Sequence, residues 1–166
     1  MANAMVALAN LTIGTPQATV TFGSIPTSGY RDLRLVATYG LSVNGKQVYF
    51  RVNSDSGANY YSAAMTGYST NSTIAWAQNV QNQFTTMVAT GLASGDLSVL
   101  TVDFSDYSQT DKHKATLLRS NHSGELTALT GRWGSTSAIT TIQLLPEPGG
   151  GNFVAGSTFE LFGIVS

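Results

Sequence analysis

Any imidazole chemistry in this chain must come from His113 or His122, its only histidines, and no thiol is present. Asp111 and Ser123 lie close to them in sequence, so a Ser/His/Asp relay can be drawn on paper. The serine lacks a Gly-x-Ser-x-Gly elbow, or any other setting that would project and activate its hydroxyl. Both histidines sit beside turns, and a solvated turn residue is the expected role of each. The stretch "RVNSDSGANYY" places Asn53, Asp55 and Asn59 at intervals that superficially suit a calcium loop. A hard cation asks for several carboxylates among its oxygens, and this stretch offers one. Asn, Asp, Ser and Gly also close ordinary turns through side-chain to backbone hydrogen bonds, which is the expected role here. Asp103 and Asp106 form a further acidic pair. On a strand, residues three apart point to opposite faces, so the two carboxylates are not expected to share a proton or flank a glycosidic bond.

Aromatic residues are the other candidates. Tyr60, Tyr61, Tyr68 and Trp76 gather in the least regular part of the chain. Exposed aromatics in loops stack on sugar rings or anchor a protein partner, so Tyr60 and Tyr61 are kept as candidate partner-binding residues, with a core role as the alternative. Trp133 lies in a strand-like run and is assigned to the core. "GGGN" (149–152) lacks the following helix and lysine of a phosphate-binding loop. No catalytic residue, metal ligand or cofactor site is assigned, and the expected protein is not an enzyme.

Composition bounds what can carry these residues. The chain has 166 residues, 42% of them hydrophobic, yet only 10% are charged. Soluble domains usually carry about 25% charged residues, and here Ser and Thr alone make up roughly a quarter of the chain. Helices dress their solvent faces in Glu, Lys and Arg, so this balance points to strands. Net charge is −1 and the eight Lys and Arg are scattered, leaving no basic stripe for nucleic acid. The absence of cysteine fits synthesis in a reducing cytoplasm. The N-terminus has no Lys or Arg before Arg31 and only a short apolar run broken by Asn10, unlike a signal peptide. No window reaches the ~18 apolar residues of a membrane span.

Period-2 alternation recurs along most of the chain. "ATVTFGSI" (18–25), "DLRLVATYG" (32–40) and "LSVLTVDFSDY" (97–107) read as strands, the last apolar enough on both faces to be central. Asn44-Gly45 between "DLRLVATYG" and "KQVYFRVNS" predicts a β-hairpin. "HKATLLRSN" (113–121), "LTALTGRWG", "SAITTIQLLP" (137–146) and "FVAGSTFELFGI" continue the pattern, and "STIAWAQNVQNQFTTMVATGL" is read as strands with loops in preference to a helix. The final strand, apolar on both sides, should be paired and covered, with Gly156 marking a bulge or bend. Turn signals every ~8–12 residues between short strands predict a sandwich or barrel.

Four stretches carry a family resemblance. "GNFVAGSTFELFGI" (151–164) resembles the closing motif of a β-sandwich family common among structural proteins of tailed-phage virions. "VTFGSIPTSGYRDLRLV" resembles that family's opening strand, Pro loop and second strand. "FRVNSDSGANYY" resembles its hairpin exit, and "TGRWGSTSAITTIQLLP" the run before its glycine loop. The resemblance brings no catalytic residues. It implies a virion component, either a capsid decoration (cement) protein or a tail-associated receptor- or carbohydrate-binding module. A chain starting at Met1 with no stalk favours decoration. The expectation is therefore an all-β, antiparallel, jelly-roll-like β-sandwich spanning 1–166. It would sit on the capsid surface, bind the major capsid protein and self-associate as a homotrimer, with no nucleic-acid or membrane partner. The uncharged "MANAMVALANL" segment supplies the expected contacts, through Met5, Val6, Leu8 and Leu11, and residues 1–10 are expected to be dispensable for folding.

Overall fold

The computed structural model describes residues 4–70, 72–86, 96–122 and 124–165, without the side chains of Asn79 and His122. Among them run β1 (Met5–Thr12), β2 (Val20–Phe22), β3 (Asp32–Tyr39), β4 (Val48–Val52), β5 (Tyr60–Tyr68) and β6 (Thr73–Gln81). They are followed by β7 (Phe84–Thr85), β8 (Ser98–Ser105), β9 (Lys114–His122), β10 (Glu125–Trp133), β11 (Ile142–Pro146) and β12 (Thr158–Ile164). No helix occurs among the described residues. All strand pairs are antiparallel, in an eight-stranded sheet ordered β1-β12-β3-β8-β9-β10-β5-β6 and a four-stranded sheet ordered β2-β11-β4-β7.

The strand order is that of a jelly roll. β1 pairs with β12, β2 with β11, β3 with β8 and β4 with β7, so the pairs alternate between the two sheets like one long ribbon rolled up. Two hairpins interrupt that ribbon. β5–β6 is inserted between β4 and β7, and β9–β10 between β8 and β11; they pair with each other and widen the larger sheet beyond β8.

The alternation in sequence becomes a division between inside and outside. Leu33, Leu35, Ala37 and Tyr39 on β3 and Leu100, Val102 and Phe104 on β8 face Val48, Phe50 and Val52 on β4 across the core. Rings lock the layers together: Phe50 lies 4.8 Å from Phe84 and 6.0 Å from Phe104, centroid to centroid. β12 is paired on both sides, by β1 and β3. Gly156, at φ +88°, forms the turn that precedes it, the left-handed conformation glycine tolerates best.

The strand reading of residues 73–85 holds, while Met87–Ala89 and the rest of that stretch lie outside the described residues. The predicted hairpin across Asn44-Gly45 is corrected. Gly45 does turn the chain, at φ +64°, but β3 and β4 belong to different sheets and never pair. Consecutive strands of a jelly-roll ribbon must cross between layers about 10 Å apart, and residues 40–47 make that crossing. The strands foreseen at 137–146 and 153–164 are also shorter, starting at Ile142 and Thr158.

Gly131 is where the hairpin extension meets the second sheet. A Cβ there would lie 2.5 Å from Phe84 Cε1 and 2.6 Å from Thr116 Oγ1. Gly131→Ala is therefore expected to cost about 1–3 kcal/mol through overpacking, read as a lower urea midpoint at unchanged slope.

Candidate functional site

The most distinctive surface lies where β5 meets β10. Their register sets Tyr60 opposite Trp133 and Tyr61 opposite Arg132. Alternation then sends the first pair into the core and the second to the outer face of the eight-stranded sheet.

The inner pair is held by the 53–59 turn. Trp133, 3% exposed, donates its indole N–H to Asp55 Oδ2 at 2.6 Å. Asn59 Nδ2 donates to the same oxygen at 2.9 Å, and the Gly57 N–H to Asp55 Oδ1 at 2.7 Å. Desolvation pushes the Asp55 carboxyl up, but these three bonds outweigh it and hold the group below its ordinary value. The Tyr60 hydroxyl donates to the Asp55 carbonyl at 2.9 Å and accepts the Val52 N–H at 3.2 Å. Burial raises the Tyr60 phenol to about 12. Asn53, at φ +52°, accepts from the Thr140 and Thr141 N–H groups with Oδ1. Asp55 and Asn59 are thus engaged in closing a turn, while the side chain of Asn53 ties that turn to residues 138–141.

On the outer face, the Arg132 guanidinium carbon lies 4.2 Å from the centroid of the Tyr61 ring, a cation–π stack. Arg132 Nη1 also lies 3.5 Å from His113 Nδ1. A shallow depression beside them is lined by Ala63, Ala77 and Ala115. Further along the same face, Met65, Leu117 and Leu126 are exposed, Leu126 at 64%.

The structure sorts the other candidates plainly. Tyr60 is fully buried, so it is removed from the partner-binding set; a strand residue whose ring packs 4.8 Å from Phe84 cannot meet a partner. Tyr61 remains accessible, though half-buried. Met5 is exposed on β1, while Val6, Leu8 and Leu11 are half-buried, the two leucines packing against the core. Residues 5–10 form most of a paired edge strand, so the expectation that residues 1–10 are dispensable for folding is also corrected. Met1–Asn3 lie outside the described residues.

Asp103 pairs with Arg34 at 2.6 Å and Arg119 at 3.6 Å. Asp106, past the end of β8 at φ +48°, faces Arg31 and Lys112 instead. Asp111 meets Lys112, and Ser123 lies outside the described residues. Trp76 packs half-buried against the core margin, and Tyr68 is half-buried at the end of β5. No group of three His, Cys, Asp or Glu suited to a metal occurs among the described residues. Arg132 and its contact with His113 escaped the sequence reading. One signal was available, since a core Trp133 on a strand puts Arg132 outside.

No family model matches the chain, and no curated protein matches it significantly. Among solved structures, the galectin LEC-6 of Caenorhabditis elegans aligns at 10% identity over 95% of this chain and 96% of that one, with a TM-score of 0.39. A protein of unknown function from Shewanella oneidensis MR-1, SO2946, aligns at 11% identity over 98% of this chain and 76% of its own, with a TM-score of 0.25. The alginate lyase Aly36B aligns at 5% identity over 90% and 79%, with a TM-score of 0.31. At these scores none of the three bears on function. The molecule is an all-β jelly-roll sandwich with one widened sheet.

Proposed function

We propose that this chain is a non-enzymatic virion structural protein, a capsid decoration protein that binds the assembled head through the free edge at β1. One observation carries the reading. β1 is an eight-residue edge strand, "MVALANLT", with neither charge nor proline. Monomeric proteins usually protect such edges with Lys, Pro or a very short strand, because free N–H and C=O groups template pairing with another chain. The only such device here is a register shift between Ala7 and Ala9. The first thirty residues contain no charged side chain at all, and Glu160, opposite Asn10 on β12, accepts that residue's amide N–H at 3.1 Å. The family resemblance of the sequence supports the same reading.

The mechanism is mass action. A protein that binds only the assembled shell lowers the free energy of that state at every occupied site. Strand addition supplies main-chain hydrogen bonds, with alternate side chains fitting the neighbour. The same edge can join copies of the chain into a trimer.

Met5 and Ala7 both project from β1 to solvent. The Met5→Lys/Ala7→Lys double variant is expected to keep its circular dichroism spectrum and lose co-sedimentation with heads assembled without this protein. Full occupancy of heads by the double variant, at wild-type concentration, would overturn the reading.

A further inference from the structure

The widened sheet carries a second surface, remote from β1 in strand order, that edge pairing leaves free. Of the eight Lys and Arg, seven meet a carboxylate or an amide or carbonyl oxygen. Arg132 alone, among the described residues, has no anionic or carbonyl acceptor, and only the Tyr61 ring and His113 touch its head. Stacking on Tyr61 leaves the edge of the guanidinium, with its forked N–H groups, open to solvent. A planar fork of that kind matches a carboxylate with two parallel hydrogen bonds. His113, exposed on the other side, offers a further ring nitrogen.

The shape beside the fork narrows the ligand class. Ala63 on β5 and Ala77 on β6 lie opposite each other and make a low apolar floor, and Ala115 lies across β10 from them, beside Arg132. Thr130, exposed opposite Ala63 on β10, puts a hydroxyl at the margin of that floor. A pyranose ring suits this relief, with its C–H face on the alanines, ring hydroxyls toward Thr130 and a ring carboxylate in the fork of Arg132.

We infer that the outer face of the widened sheet is a binding site for an acidic sugar residue, a uronic or sialic acid, in which Arg132 takes the carboxylate, Tyr61 and His113 position the guanidinium, and the alanine floor takes the ring. This goes beyond shell binding and does not depend on it.

The test is titration of the 15N-labelled full chain with tri-galacturonate, sialyllactose and neutral maltotriose, followed by amide chemical shifts. At least one acidic sugar is expected to move the Tyr61, Ala63, Ala77 and Arg132 amides saturably, while maltotriose leaves them in place. Arg132→Gln, an exposed substitution, should weaken that binding about tenfold or more with the rest of the spectrum unchanged. Tyr61→Ala should weaken it less, because the guanidinium persists without its platform. Absence of shifts with both acidic sugars, or equal affinity in Arg132→Gln, overturns the assignment. A glutamate-rich peptide binding the same amides more tightly than either sugar also overturns it and makes the site a protein contact.

Discussion

Lys114→Met is expected to lower the free energy of unfolding by about 2–4 kcal/mol. Lys114 opens β9 and its side chain is 0% exposed, unusual for a residue type almost always found at the surface. Its ammonium donates to three carbonyls: Gln109 at 2.5 Å, Lys112 at 2.9 Å and Thr136 at 3.0 Å. Burial pulls its pKa below the ordinary lysine value, a sign that the charge is costly to enclose. Methionine restores the apolar stem but none of the donors, so it isolates the hydrogen bonds from the packing. The three carbonyls then lose their common partner, and the 109–112 turn is no longer tied to Thr136. Urea denaturation checks this directly. A change below about 0.5 kcal/mol would mean that water already serves those carbonyls and that the lysine is a bystander. Because His113 precedes Lys114, the same substitution should broaden the His113 amide signal while leaving β1 untouched.

The large expected effects fall on inward-facing residues that set the geometry of an outward-facing site. β9 and β10 pair Lys114 with Trp133 and Ala115 with Arg132. β10 and β5 pair Trp133 with Tyr60 and Arg132 with Tyr61. One buried row of Lys114, Trp133 and Tyr60 therefore lies beside an exposed row of Ala115, Arg132 and Tyr61. The exposed row inherits its spacing from the buried one, since a one-residue slip of any strand would exchange the two.

That coupling also explains what the sequence could and could not reveal. Alternation separated the two faces of β8 but, both being apolar, not which one is covered: Leu100, Val102 and Phe104 are buried and Val99 is exposed. Trp133 was legible as core from its strand-like run. The choice between Tyr60 and Tyr61 was not. Adjacent strand residues take opposite faces, and which one goes inside depends on the phase of the strand against the sheet below it. The phase of β5 is set by a partner some 70 residues away in β10, which no local pattern encodes. The Asn44-Gly45 turn misled in a related way. Turn chemistry reports that the chain reverses or bends, but not whether the flanking strands pair or part into separate layers. The jelly-roll order itself follows from nested long-range pairs such as β1 with β12, and period-2 alternation is the same in any sandwich. The Arg132–Tyr61–His113 cluster combines both difficulties, because its members lie on β10, on β5 and just ahead of β9, brought together only by register.

Asp55→Ala should destabilise the protein by about 2–3 kcal/mol and do so in a pH-dependent way. Its carboxylate accepts the buried indole N–H of Trp133, the amide of Asn59 and the backbone N–H of Gly57. Removing it leaves the indole donor without a partner inside the core, the more expensive side of a broken hydrogen bond. Asp55 is held below its ordinary carboxyl value, so the ionised form is favoured by folding. The sign follows from that. The stabilisation is complete above the unfolded-state pKa, near pH 4, and is lost as the pH falls through the lower folded value. Stability curves of the wild type and Asp55→Ala should therefore run parallel from neutral pH down to about pH 5 and draw closer below pH 4. A gap that stayed constant to pH 2 would show that the carboxylate charge contributes nothing and that only the turn geometry matters. The substitution also separates the turn role from a cation-binding one. Calcium in millimolar excess should leave the wild-type melting temperature unchanged, because both carboxylate oxygens already receive donors that a cation would have to displace. The consequence for the outer face is specific. With Trp133 released, the β5–β10 end loosens, Arg132 loses its fixed position over Tyr61, and the amide signals of both residues should broaden at pH 7 while those of Met5 to Thr12 stay sharp.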